Sequence, residues 1–192
     1  MLRPFEKWEI DFVGPIQPQG KKTRAQYIIT ATEYLTRWVE AKAMKDCTGG
    51  TIAKFLFEYV LTWFGCPKIL MSDRGTHFLN ETISALTEAF QVYHQKRTPY
   101  HPQANRTVET FNKVIETALT KVFNAQWSYW DLRIPIVLWA YRMMCKKLTG
   151  QTPFRLVYGV ELVMPMEYTL PSLCIVVLTH MLDRGALEER LA

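Results

Sequence analysis

The chain has 192 residues, 48% of them hydrophobic and 21% charged, the balance of an ordinary folded domain with a sizeable core and not of a disordered chain. A formal net charge of +5 favours an anionic partner without identifying one. Cys47, Cys66, Cys145 and Cys174 form no C-x-x-C pair, so reduced, mostly buried thiols are expected, and no apolar run nears the roughly 20 residues of a membrane span, so a soluble intracellular protein is expected.

Trp8-Glu9-Ile10-Asp11-Phe12-Val13 alternates bulky apolar and acidic residues and stops at Gly14-Pro15, which predicts a strand with Asp11 inside it. Residues 17–24, with Pro18, Gly20, Lys21, Lys22 and Arg24, read as a polar basic turn, a solvated hairpin tip before the apolar run Tyr27-Ile28-Ile29-Thr30. Trp38-Val39-Glu40-Ala41 comes soon after, so the opening third is expected to be an antiparallel meander of three strands. Over 51–64, Ile52, Phe55, Leu56, Tyr59, Val60 and Trp63 recur at helical spacing, and Gly65 and Pro67 end the helix. Lys68-Ile69-Leu70-Met71-Ser72-Asp73 predicts a short strand ending in an acid, the place where open α/β sheets tend to put ligand chemistry.

A second helix is expected over 78–90 and a short strand at Val92-Tyr93-His94, before a loop that Pro99 and Pro102 keep irregular. Val108, Phe111, Val114, Ile115, Ala118, Leu119 and Val122 share one stripe, predicting a long amphipathic helix over 105–123 with Glu109 and Lys113 on its other side. Residues 127–142 read as a helical region interrupted at Pro135, its aromatics Trp127, Trp130, Trp139 and Tyr141 assigned to the core and not to a base-stacking platform. Thr152 caps a short helix whose first residue is Pro153, and after Pro171 the pattern dissolves.

An acid inside an early strand (Asp11), one at the end of a later strand (Asp73) and one in the first turns of a helix (Glu109) form a constellation able to converge. A pair of divalent ions about 4 Å apart needs hard oxygen ligands on rigid elements, and carboxylates supply both oxygens and charge. Taken singly each acid reads as a surface charge, and Glu109 has Lys113 as an ordinary i,i+4 partner.

The flanking residues carry more. Trp8-Glu9-Ile10-Asp11-Phe12-Val13-Gly14-Pro15, Ser72-Asp73-Arg74-Gly75-Thr76-His77-Phe78 and Tyr100-His101-Pro102-Gln103-Ala104-Asn105, running into Val108-Glu109, resemble the successive catalytic blocks of the integrase core of gypsy-type long-terminal-repeat retrotransposons and retroviruses. Between Asp73 and Glu109 lie 35 residues, the spacing in the family's D,D-35-E signature. Leu138-Trp139-Ala140-Tyr141-Arg142, Thr152-Pro153-Phe154 and Leu156-Val157-Tyr158-Gly159 resemble the family's later core, so 1–172 is expected to be the catalytic core and 173–192 a poorly matched tail.

The resemblance implies an RNase H-like α/β fold, a five-stranded mixed sheet flanked by helices. It implies two Mg2+ or Mn2+ ions, with Asp11 on both, Asp73 on one and Glu109 on the other, serving DNA 3′-end processing and strand transfer. Lys113 is the implied phosphate contact, and Lys96, Arg97, His101, Asn105 and Arg106 are further candidate DNA contacts. The implied partners are element ends and target DNA, with a homo-oligomer, no membrane and a nuclear location. Departures from the family pattern are Arg106 where relatives carry glycine and Glu33 where they commonly carry Asp. No zinc module precedes these blocks and no C-terminal barrel comes after them, so a fragment, an isolated core or a truncated copy is expected. Two readings stay open beside the integrase: a catalytically silent nucleic-acid-binding derivative and an RNase H-like nuclease that only cuts.

Overall fold

The computed structural model describes residues 2–96 and 127–162. Strands β1 (Lys7–Val13), β2 (Tyr27–Glu33) and β3 (Val39–Met44) form the expected antiparallel meander, pairing Asp11 with Thr30 and Ala31 with Glu40. Strands β4 (Ile69–Ser72) and β5 (Tyr93–Lys96) then add in parallel beside β1, giving one five-stranded sheet in the order β3-β2-β1-β4-β5. Alternation sends neighbouring residues to opposite faces, and each face has its own core. Ile10, Ile29 and Leu70 pack with Ile52, Phe55 and Ile83 on one side, while Val13, Ile28 and Val39 pack with Trp130, Val137 and Tyr141 on the other. With both sides covered, β2 is buried from Ile28 to Glu33, its threonines included.

The first face is covered by α1 (Gly49–Leu56) and α3 (Glu81–Ala89). Thr48 caps α1 by accepting from Thr51 N–H, and Asn80 caps α3 by accepting from Ile83 N–H at 3.0 Å. Between α1 and the closing turn α2 (Thr62–Phe64) the chain widens into a π-helical stretch, Phe57–Leu61, that periodicity did not foretell. The extra residue per turn shifts the phase of the residues beyond it: Val60 stays buried, but Trp63, placed by its spacing on the apolar stripe, is 78% exposed. Gly65, at φ +79°, ends the run as expected.

The second face is covered by a 3-10 stretch, Trp127–Leu132, and by α4 (Ile134–Met143). Pro135 stands two residues past the break in this region, which falls at Arg133 between the 3-10 stretch and α4. It sits in the first turn of α4, where a proline lacks no hydrogen bond the helix would have made. Trp130 and Tyr141 are core residues as expected, whereas Trp139 is 45% exposed. The expectation of mostly buried thiols also fails, since Cys66 and Cys145 are exposed and Cys47 is only half-buried. The last described helix, α5 (Pro153–Tyr158), matches the sequence closely: Thr152 Oγ1 accepts from Arg155 N–H at 3.1 Å and Gly159 closes it in the left-handed region. The helix expected over 105–123, the tail from 173 and Cys174 lie outside the described residues.

Candidate active site at the C-terminal ends of β1 and β4

Two of the three predicted acids are placed. The parallel ladder between β1 and β4 pairs Glu9 with Met71, and two residues further along each chain stand Asp11 and Asp73. Asp11 lies in β1 and Asp73 just beyond β4, so both belong to the end of the sheet to which these parallel strands run. Asp11 is half-buried, and its Oδ1 accepts from the Phe12 N–H at 2.8 Å. Asp73 lies one residue past β4 with its side chain 51% exposed, and its Oδ1 accepts from the Gly75 N–H at 2.9 Å.

The Ser72-Asp73-Arg74-Gly75 turn thus has a local logic. Gly75 brings its amide onto the Asp73 carboxylate, and a Cβ there would run into the His77 ring. His77 Nε2 stands 3.9 Å from Asp73 Oδ1, too far for a hydrogen bond. Its ring is held edge-on against Phe12, with centroids 5.2 Å apart, and against Phe78 at 4.5 Å.

Beneath Asp73 lies a pair that the sequence did not announce. The fully buried Ser72 donates its hydroxyl to the Asp73 carbonyl at 2.9 Å and lies 2.8 Å from His94 Nε2 on β5. Burial, with the nearby Lys96 ammonium second, pushes the His94 pKa below the ordinary histidine value. Lys96 itself pairs in register with Ser72, so this predicted DNA contact stands exposed at the same end of the sheet.

Glu109 and the predicted contacts Arg97, His101, Asn105, Arg106 and Lys113 lie outside the described residues. Among the described residues no three His, Cys, Asp or Glu side chains gather as a metal cage. What Asp11 and Asp73 provide is hard-oxygen donors, one in β1 and one just past β4, of the kind that fits magnesium or manganese.

A five-stranded mixed sheet with helices on both faces and two acids at neighbouring strand ends defines an RNase H-like protein of the retroviral integrase type. The chain belongs to the integrase core domain family, whose model matches residues 2–102. It is 30% identical over 158 residues to a Gag-Pol polyprotein of woolly monkey sarcoma virus and 31% identical over 160 residues to that of feline leukemia virus. Each match covers 82% of this chain, and the chain spans only 9% of the length of those polyproteins. Among solved structures it resembles a chain of the simian T-cell lymphotropic virus intasome in complex with the PP2A regulatory subunit B56 gamma. That match has a TM-score of 0.69 at 20% identity and covers 84% of this chain and 57% of the other, a likeness of fold.

Proposed function

We propose that this chain is the catalytic core of a DNA integrase that performs 3′-end processing and strand transfer with Asp11, Asp73 and Glu109 as its metal-binding acids. The observation that carries the reading is that Asp11 and Asp73 lie toward the same end of two adjacent parallel strands in an integrase-family fold. The reaction displaces one phosphodiester oxygen of DNA by another oxygen: water in end processing, then the freed 3′-hydroxyl in joining. Two divalent ions held by the three acids would activate the incoming oxygen and stabilise the leaving one.

The chain's own residues prepare that site. Gly75 N–H fixes the Asp73 carboxylate, and Ser72 with His94 fixes the peptide that carries it. His77 stands beside Asp73, its ring held edge-on by Phe12 and Phe78. Lys96 is suited to hold a backbone phosphate, and Lys113, four residues beyond Glu109 in sequence, takes the same role in this reading. DNA as partner, a homo-oligomeric working form and a nuclear site of action complete the proposal.

The test is a joining assay with magnesium or manganese on duplexes carrying element-type ends. The wild-type chain is expected to cleave and join, and Asp73→Asn to lose both while still folding and binding DNA. Calorimetric titration with Mn2+ should show the same variant losing metal affinity. DNA binding by the wild type without any phosphodiester chemistry would replace this reading with the silent derivative, and cleavage without joining would replace it with the nuclease.

A further inference from the structure

Lys21, Lys22 and Arg24 are read from sequence as the solvated tip of a hairpin, but the loop that carries them is tied down. Asp131, 7% exposed in the 3-10 stretch, accepts from Thr23 N–H at 2.8 Å and from Thr23 Oγ1 at 2.7 Å. Gly20 lies flush against the same side chain, where a Cβ would be 2.6 Å from the Asp131 Cγ. The fully buried Trp130 donates its indole N–H to the Pro18 carbonyl at 3.0 Å. Within the loop, Arg24 N–H donates to the Gly20 carbonyl at 2.7 Å and Gly20 N–H to that of Ala25 at 2.9 Å. Lys21 lies 5.2 Å over the Tyr129 ring, yet all three basic side chains remain exposed and, among the described residues, none makes an ion pair.

The loop also has a defined position. It leaves the C-terminal end of β1, and because β4 and β5 run parallel to β1, that is the end holding Asp11, Asp73 and Lys96. From this loop across β1 and β4 to Lys96 is on the order of 10–15 Å at about 4.8 Å per strand. That spans several phosphates of a DNA strand, which are spaced about 3.4 Å apart along the helix axis. Arg24 adopts φ +56°, a region costly for a side chain other than glycine, asparagine or aspartate. A strained position occupied by a long cation, in a loop pinned to keep its shape, has the form of a presented charge and not of a relaxed turn.

We infer that the β1–β2 loop is a preformed phosphate clamp, in which Lys21, Lys22 and Arg24 grip the backbone of duplex DNA beside the acid pair. This rests on the DNA-integrase reading and adds to it a contact surface outside the catalytic motifs. Fixed cations on a DNA backbone release counterions, so their number appears as the salt dependence of affinity, about 0.9 per phosphate in the log–log slope. A short fluorescein-labelled duplex of arbitrary sequence is titrated with the whole chain across a range of potassium chloride.

The variant Lys21→Gln/Lys22→Gln/Arg24→Gln is expected to bind roughly ten- to a hundredfold more weakly, with a slope shallower by about 2 to 3. The control Arg3→Gln/Lys7→Gln/Lys68→Gln removes the same charge at the opposite end of the sheet and should change neither quantity appreciably. Wild-type affinity and slope in the loop variant, or an equal loss in the control, would overturn the clamp. The two readings separate cleanly. A loop variant that binds normally while the wild type joins DNA leaves the integrase standing without the clamp. A loop variant that loses affinity when the wild type shows no phosphodiester chemistry keeps the clamp and removes the enzyme.

Discussion

Gly14 leaves β1 at φ +139°, and a Cβ there would sit 2.7 Å from the Gln26 carbonyl oxygen and 2.9 Å from the Tyr27 ring. Backbone conformation and space both demand glycine. Gly14→Ala is therefore expected to cost about 2–3 kcal/mol, read as a lowered midpoint in urea unfolding. An unshifted midpoint would refute this account of the motif. The sequence marks Gly14 as a turn but cannot show the carbonyl that closes the space. His94 was legible only as a residue in a short strand, because its partner Ser72 is 22 residues away in sequence. Burial lowers its folded pKa below the ordinary 6.5, so in acid the unfolded chain takes the proton more readily. The stability this provides is present above the unfolded value and lost as pH falls through it. Thermal midpoints measured from about pH 7.5 to 5.5 should fall more steeply in the wild type than in His94→Gln. Parallel curves would show that His94 is not the group responsible.

The element least expected from residue type is the turn between β2 and β3. Glu33 is fully buried, and its carboxylate accepts from Leu35 N–H at 3.0 Å, from both the N–H and the hydroxyl of Thr36, and through the other oxygen from Phe5 N–H at 3.2 Å. The departure from the aspartate common among relatives thus has a structural use, because the longer side chain reaches from the turn to the segment before β1. Glu33→Gln turns one acceptor into a donor that faces N–H groups, and a loss of about 1–3 kcal/mol is expected in denaturant melts. An unchanged melt would mean the turn holds without it. Strand and helix positions elsewhere were legible because alternation and caps are local signals. The π-helical stretch was not, since it preserves composition and changes only phase. At the end of α4, Lys146 lies 3.2 Å over the Tyr141 ring, and burial pushes its pKa down to about 8. Amine acylation near pH 8, read out by peptide mass spectrometry, should modify Lys146 ahead of its exposed neighbour Lys147, and the reverse order would count against the lowered pKa.

At the scale of the molecule, the sheet gathers functional groups at one end through strand direction alone. Asp11 and Asp73 lie toward the same end of the sheet because β1 and β4 are parallel, and the strands that carry them were legible because their flanking blocks are short and ordered along the chain. The loop's anchorage was hidden, since Thr23 and Asp131 are separated by 108 residues and neither type announces a partner. Trp130 links the two levels: its ring fills the core beneath β2 and β3, and its indole N–H holds Pro18. Trp130→Phe keeps most of the apolar bulk but deletes the donor, so stability should fall by about 1–3 kcal/mol. If the loop's shape matters as well as its charge, the same variant must also weaken DNA binding several-fold, because ordering a loosened loop is charged against affinity. The log–log salt slope should stay at the wild-type value, since no cation has been removed. Hydrogen exchange at residues 20–25 gives the independent check: faster exchange with unchanged affinity would separate the anchorage from DNA binding, whereas faster exchange with weaker binding and constant slope makes the fold's second core the support of its DNA-facing loop.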